Sequence, residues 1–274
     1  MDNIRLAQLW RYPVKSLRGE ALPVARLTPD GVDGDRVVHV AGPRGPLTGR
    51  TRHGLLTIPA ATGPDGTPLV DGHPWDSIRA REIIQFHAGA EARLVADKTP
   101  ERFDVLNLLV ATDGAVALFG HDIRRLRPNL VLSGVPAELE PDLPGQAFVI
   151  GDALIGVHSL RQRCIVTSID PDSGEQNLDV FRRIRDVFGG QLALNCWVIR
   201  PGVVHIDDPV RIVPAPTGPT RIGGWIVGAP LCAPHSLSYP WFRGAIAHGW
   251  TGRQGARSTL AAISRRCRRC RRRV

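Results

Sequence analysis

The sequence is short of the features that announce several common functions. It has no apolar run of the roughly 20 residues that a membrane-spanning helix needs, so no membrane span is expected. The opening MDNIRLAQLWRYP mixes charge with apolar residues and lacks the uninterrupted apolar core of a secretory signal. Cysteine is sparse, with five in 274 residues. An odd, scattered set does not make a disulfide framework, and this usage fits a reducing, cytoplasmic compartment. There is no Gly-x-Gly-x-x-Gly after a strand, no Gly-rich loop ending in Lys-Ser, no Gly-x-Ser-x-Gly and no His-Glu-x-x-His. Nucleotide-fold and serine-hydrolase readings thereby lose their main support. No haem, flavin or iron–sulfur motif is present, so any redox chemistry would draw its electrons from another protein.

Acidic residues are absent from one end. From Ala215 onward there are 11 Arg, no Lys and no Asp or Glu, which leaves 24 basic against 26 acidic residues before it. The net charge of +9 therefore belongs to the tail, and the body is close to neutral. Residues 215–274 are rich in Pro, Gly and Arg without sustained period, and they read as a largely disordered extension. Its RRCRRCRRRV ending can bind nucleic acid or an acidic surface by charge alone. A solvated tail without function, or a reading-frame error, fits it as well. Cys267 and Cys270 form a C-x-x-C but lack the second pair that a zinc site needs. Cys232 stands alone.

What fills positions 4–213 is a series of short β runs separated by Gly, Pro and Asp: IRLAQLWRY, DRVVHVA, GLLTIPA, PNLVLSG, QAFVIGDALIGVHS, CIVTSI and CWVIRPGVVHI. The expected fold is mainly β with a few helices (α+β), barrel-like. One helix is expected over 176–188, with Val180, Ile184, Val187 and Phe188 on its apolar face. A second is expected near 112–119, weakened by Gly114. A boundary inside the β body is expected around residues 90–105, where the sequence turns polar.

Chemistry concentrates at strand ends. In YPVKS, Pro13 fixes the backbone and Lys15 and Ser16 then offer an ammonium and a hydroxyl side by side, suited to an anionic oxygen. A solvated strand end gives the same string. Arg36 follows a Gly-Asp turn, where a salt bridge with Asp35 is the plain alternative. Arg127 precedes a proline that keeps it extended and can aim its guanidinium at a phosphate. Together they set fixed cations at the ends of separate strands, as a compact polyanion requires. Cys164 is the only cysteine in the first 190 positions. Arg163 beside it favours the thiolate, the form that attacks or binds metal. A free cysteine buried on a strand is the alternative. In the DPDSG that follows, Asp170 is suited to accept backbone hydrogen bonds and Gly174 to take positive φ. Cys196, in an apolar strand, reads as core.

YPVKS, GDR, LTGR, LRPNLVLSG, RCIVTSIDPDSG and DDPV, in this order, resemble the MOSC (molybdenum cofactor sulfurase C-terminal) family, nearest the branch of the mitochondrial amidoxime-reducing component and its bacterial relatives. The resemblance spans about residues 4–213. It implies a MOSC N-terminal β-barrel region over 1–95 and a MOSC domain, itself a β-barrel, over 96–214. It further implies a molybdenum cofactor (Mo-molybdopterin) whose metal takes Cys164 as protein ligand and catalytic residue. By the same resemblance Lys15, Ser16, Arg36 and Arg127 match positions that hold the pterin and its phosphate, and Arg163 matches a neighbour of the cysteine. Arg50, Asp104 and Asn195 fall in cofactor-pocket regions. The chain departs from the family where a Ser-Pro gives way to Asp104-Val105, and around Asn195. The implied activity is reduction of N-hydroxylated or other N-oxygenated small molecules, with a ferredoxin-like or cytochrome b5-like partner supplying electrons. The alternative is a carrier of molybdenum cofactor or sulfur without turnover.

Overall fold

The computed structural model describes residues 3–99 and 102–216. All but the first two residues of the expected tail, with Cys232, Cys267, Cys270 and the arginine run, lie outside the described residues. The mainly-β expectation holds. Short runs rich in Val, Ile and Leu pack best on a pleated, half-buried surface, and here they build one large sheet of eight strands. Its order is Val210–Pro214, Gln146–Ile150, Ala153–Gln162, Gln191–Arg200, Leu108–Thr112, Leu130–Ser133, Arg5–Arg11 and Glu20–Leu22. Neighbours run antiparallel except Leu108–Thr112 and Leu130–Ser133, which are parallel. Parallel strands need a long return connection, and the helix Asp113–Phe119 sits in it. One face of this sheet buries Leu6, Leu9, Val110, Phe148, Ile155 and Leu194 in the main core.

Three smaller three-stranded sheets complete the body. Gly202–His205, Val24–Thr28 and Gly31–Val32 form one, Arg93–Ala96, Val38–Gly42 and Gly45–Leu47 another, and Ala60–Thr62, Pro68–Val70 and His73–Pro74 the third. Val14, Leu17, Val38, Val40, Leu55 and Ile84 belong to a second core. Within the polar stretch expected as a boundary, Arg93–Ala96 is a strand paired with Val38–Gly42.

Four local expectations are corrected. GLLTIPA opens as a 3₁₀ turn, His53–Thr57, in which the consecutive Leu55 and Leu56 are both buried. A strand would send them to opposite faces. CIVTSI is likewise a 3₁₀ turn, Ile165–Ser168. The Thr167 hydroxyl donates to the Cys164 carbonyl at 2.9 Å and the Ser168 hydroxyl to the Ile165 carbonyl at 2.6 Å, local bonds that compete with a strand ladder. A helix, Ile78–Ala88, forms where none was expected. Its apolar signal is poor because Ile78 and Phe86 are exposed and only Ala80, Ile84 and Ala88 are buried. Its start is nonetheless marked by Ser77, whose hydroxyl accepts the Ala80 N–H at 3.1 Å. In the helix Leu178–Phe188, Val180 and Ile184 are buried, but Val187 is 44 % exposed, off the stripe that meets the body.

Gly114 explains why a weak helix former stands in Asp113–Phe119. A Cβ there would lie 2.5 Å from both the Ala137 nitrogen and the Val135 oxygen, so the helix packs backbone against backbone. Gly114→Ala is expected to destabilise the protein by about 1–3 kcal/mol, the cost of overpacking, although alanine is the better helix former. Denaturant unfolding checks this, and an unchanged midpoint would refute the close approach.

Candidate functional site

The site begins where the strand Arg5–Arg11 ends. Pro13 has no N–H to extend the ladder, and the chain turns so that the Lys15 N–H donates to the Val38 carbonyl at 2.7 Å. Ser16 then takes φ +72°. Arg36 at φ +54° and Arg127 at φ +56° are also left-handed, which corrects the extended backbone expected for Arg127 before its proline. Such backbone costs a non-glycine residue about 1–3 kcal/mol and persists only where the surroundings over-determine it. Three of the candidate residues carry that strain.

Tyr12 is the hub. Its N–H donates to the fully buried Asp35 at 2.7 Å, its carbonyl accepts the Arg36 N–H at 2.7 Å, and its hydroxyl donates to the Pro128 carbonyl at 3.1 Å. The guanidiniums of Arg127 and Arg36 lie 4.3 and 5.0 Å from its ring centroid. Burial pushes the phenol up to about 12, against the pull of both arginines. Asp35 also pairs with Arg36, the plain alternative named for that residue, and Arg36 sits over Phe103 as well.

Asp104 ties two parts of the chain together. It takes Lys15 Nζ at 2.8 Å and Arg161 Nη2 at 3.7 Å. Burial would raise its carboxyl, but the two cations hold it well below the usual range. Arg161 also donates to the Asn195 side-chain oxygen at 3.4 Å, while the Asn195 amide donates to Ser159 Oγ and the Leu160 carbonyl. Asn195 therefore orients Arg161. Arg50 adds positive charge near Arg161.

Cys164 is half-buried and stands where the strand Ala153–Gln162 gives way to the 3₁₀ turn. Beside it Arg163 donates through Nη2 to the Leu126 carbonyl at 2.7 Å. Burial lowers Arg163 to about 10, with Arg161 adding to the effect, and lowers Arg127 to about 10 as well. Arg163 Nε and Arg127 Nη2 are buried without a hydrogen-bond partner. Buried donors are nearly always satisfied; Arg18 Nε, Arg125 Nη1 and Trp197 Nε1 are orphaned too, but Arg163 Nε and Arg127 Nη2 stand within a cluster of cations, where an anionic acceptor would satisfy them. Lys15, Arg36, Arg127, Arg161 and Arg163 outnumber Asp35 and Asp104, so the cluster is built for an anion.

The DPDSG loop braces the turn. Asp170 Oδ1 accepts the Asp172 and Ser173 N–H groups at 2.9 Å each, and Gly174 has φ +74°. Arg125 binds Asp170 at 2.7 Å, Arg124 binds Asp172 through two nitrogens, and Arg18 reaches Asp172 at 3.3 Å. Cys196 is fully buried and its thiol is pushed up by burial, as a core residue should be. Among the described residues no three His, Cys, Asp or Glu side chains gather to hold a metal ion. A metal here would meet one protein thiol and need further donors of its own.

Sequence reasoning missed Tyr12, Arg161 and Glu140, and named Asp35 only as a salt-bridge partner for Arg36. Arg161 had a signal, since the period of two in RQR sets it on the same strand face as Arg163. Glu140 is 3 % exposed, accepts the Thr112 hydroxyl at 2.7 Å and the Ala193 N–H at 2.8 Å, and is raised by burial in spite of those bonds. Above about 4.3 the unfolded chain releases this proton while the folded chain keeps it. Stability due to this group therefore falls as pH rises from there through the raised folded value. In Glu140→Gln that fall is expected to disappear, so the variant gains on the wild type across the window. Urea unfolding of both proteins from pH 4 to 7 checks it, and parallel curves would refute it.

Comparison with known proteins bears on these residues. The model described as MOSC N-terminal beta barrel domain matches residues 3–71, and that described as MOSC domain matches residues 101–211. The chain is 23 % identical over 280 residues to mitochondrial amidoxime-reducing component 1 of Homo sapiens, covering 76 % of this chain and 82 % of that protein. Among solved structures it is similar to the YUAD protein from Bacillus subtilis (TM-score 0.41, 12 % identity, 78 % of this chain and 97 % of that one). YiiM from Escherichia coli is a second (TM-score 0.31, 20 % identity, 46 % and 61 %).

Proposed function

The chain belongs to the MOSC family, and from that premise we propose that it holds a molybdenum cofactor and reduces N-hydroxylated or other N-oxygenated small molecules. The observation that carries this reading is the pair of buried, unpartnered guanidinium nitrogens on Arg127 and Arg163 beside a half-buried thiol. A buried cation without a carboxylate is costly, and an anionic cofactor would remove that cost. The residues present fit such a group. Lys15, Ser16, Arg36, Arg127 and Arg163 would hold the pterin and its phosphate, and Cys164 would give the metal a soft sulfur ligand. Asp104 and Asn195 keep Lys15 and Arg161 in place, and Arg50 adds charge. Residues 1–95 act in this reading as the N-terminal β-barrel region and 96–214 as the MOSC domain.

When bound, molybdenum supplies two-electron oxygen-atom chemistry. The chain's own task is to fix the cofactor, neutralise its charge and hold the turn that presents Cys164. Reduction of an amidoxime consumes two electrons and two protons, breaks the N–O bond and yields an amidine and water. The electrons come, in this reading, from a separate ferredoxin-like or cytochrome b5-like protein. No described helix is long and apolar enough to cross a membrane.

The test is to purify the chain from cells that make the cofactor, measure molybdenum, and add benzamidoxime with dithionite-reduced viologen. About one molybdenum per chain with steady amidine formation is expected. Stoichiometric metal without turnover would favour a carrier, and absence of metal would remove the reading altogether.

A further inference from the structure

Beside the thiol, the strands Ala153–Gln162 and Gln191–Arg200 fall out of register. Leu160 pairs with Leu194 but Gln162 pairs with Gln191, so Arg161 alone faces both Leu192 and Ala193. This is a β-bulge, a device that re-aims the side chains around it. Ala193 carries the strain, with φ +70° and no exposure. The Ala193 N–H is taken by Glu140 Oε1 at 2.8 Å, and Glu140 Oε2 is fixed by the Thr112 hydroxyl at 2.7 Å. Immediately after the bulge the Arg163 N–H donates to the Gly190 carbonyl at 2.9 Å, and Cys164 opens the 3₁₀ turn.

We infer that Glu140 is a positioning residue for the Cys164 site, its carboxylate holding the Ala193 bulge that sets where Arg161, Arg163 and Cys164 leave the sheet. The acidity of Glu140 is not what matters. What matters is a side chain long enough to reach Thr112 and Ala193 at once. The importance of this geometry for cofactor binding rests on the proposed function, whereas the geometry can be read without any cofactor.

Substitutions separate length from charge. Glu140→Asp keeps the charge but falls one methylene short, and Glu140→Gln keeps the length and an oxygen for the Ala193 N–H while losing the charge. The readout is the rate of iodoacetamide labelling at Cys164, resolved by peptide mass spectrometry on the cofactor-free full chain well below its unfolding temperature. Glu140→Asp and Glu140→Ala are expected to label at least about fivefold faster than wild type, as local opening of the turn allows. Glu140→Gln is expected to stay within about twofold. Adding Ala193→Gly to Glu140→Asp, which frees the left-handed backbone of its Cβ, is expected to bring the rate back to within about twofold of wild type.

Equal labelling in Glu140→Asp and wild type overturns the inference, as does fast labelling in Glu140→Gln with a normal Glu140→Asp. A double variant that stays fast overturns it too. If Glu140→Ala does not fold, the Asp and Gln variants decide alone. Because the cofactor-free chain is used, a wild type that never binds molybdenum would defeat the proposed function and leave this result standing.

Discussion

Cys164→Ser is expected to lower amidoxime reduction by at least about a hundredfold while leaving the fold intact. Loss of a residue that merely orients a metal ligand costs about 10–100-fold, so loss of the protein's own ligand should reach at least the upper end. A serine hydroxyl is neither soft nor ionised at neutral pH, and it does not replace thiolate on such a metal. The fold should survive because the Cys164 contacts that shape the turn are made by its carbonyl, which accepts the Thr167 N–H and hydroxyl. The unfolding temperature should shift by no more than about 2 °C, as for substitutions away from the core. Molybdenum content should fall with activity. Bound pterin should persist, because Lys15, Arg36 and Arg127 are untouched. A serine variant with wild-type metal and turnover would remove Cys164 from the chemistry.

Arg127→Met should separate stability from binding. In the cofactor-free protein Arg127 stacks on Tyr12 and keeps a buried nitrogen unpartnered, and among the described residues Asp35 and Asp104 act on it only from beyond ion-pair contact. Stacking of this kind contributes about 1–2 kcal/mol. Keeping a guanidinium without a contacting carboxylate out of water costs several kcal/mol. The cost exceeds the gain, so methionine of similar length should stabilise the cofactor-free chain by about 1–2 kcal/mol, raising its unfolding temperature by about 3–6 °C. The same variant should bind at least about tenfold less pterin, since one charge-assisted contact is gone. Calorimetry of protein from a host that cannot make the cofactor, and pterin content from one that can, give the two numbers. A destabilised variant that still binds would mean that Arg127 is a structural cation.

Much of this site could be read in the sequence because its chemistry sits in short strings. Lys15 beside Ser16, Arg36 after a Gly-Asp turn, Arg163 beside Cys164 and Asp170 in its turn are all local patterns, and the β runs that carry them alternate clearly. The parts that escaped depend on distant partners. Tyr12 resembles any strand-end aromatic until Arg36, Arg127 and Pro128 are brought around it. Arg161 is one more strand-end cation until Asp104 and Asn195 are brought beside it. The bulge at Ala193 has no local cue, since alanine is an unusual choice for left-handed backbone and the side chain that holds it lies 53 residues away. CIVTSI reads as a strand on its β-branched residues, and the hydroxyls of Thr167 and Ser168 make it a helical turn instead.

The strand Arg5–Arg11 hydrogen-bonds to Leu130–Ser133, so it pairs with a strand that is made more than a hundred residues later. During synthesis its apolar residues Leu6 and Leu9 lack Leu130 and Leu132, which share their core, until that strand clears the ribosome. Nascent chains of this protein therefore spend several seconds, at about 5–20 residues per second, with the Arg5–Arg11 strand short of its partner. Holding that strand apart from neighbouring chains is a task that falls to the cell's chaperones.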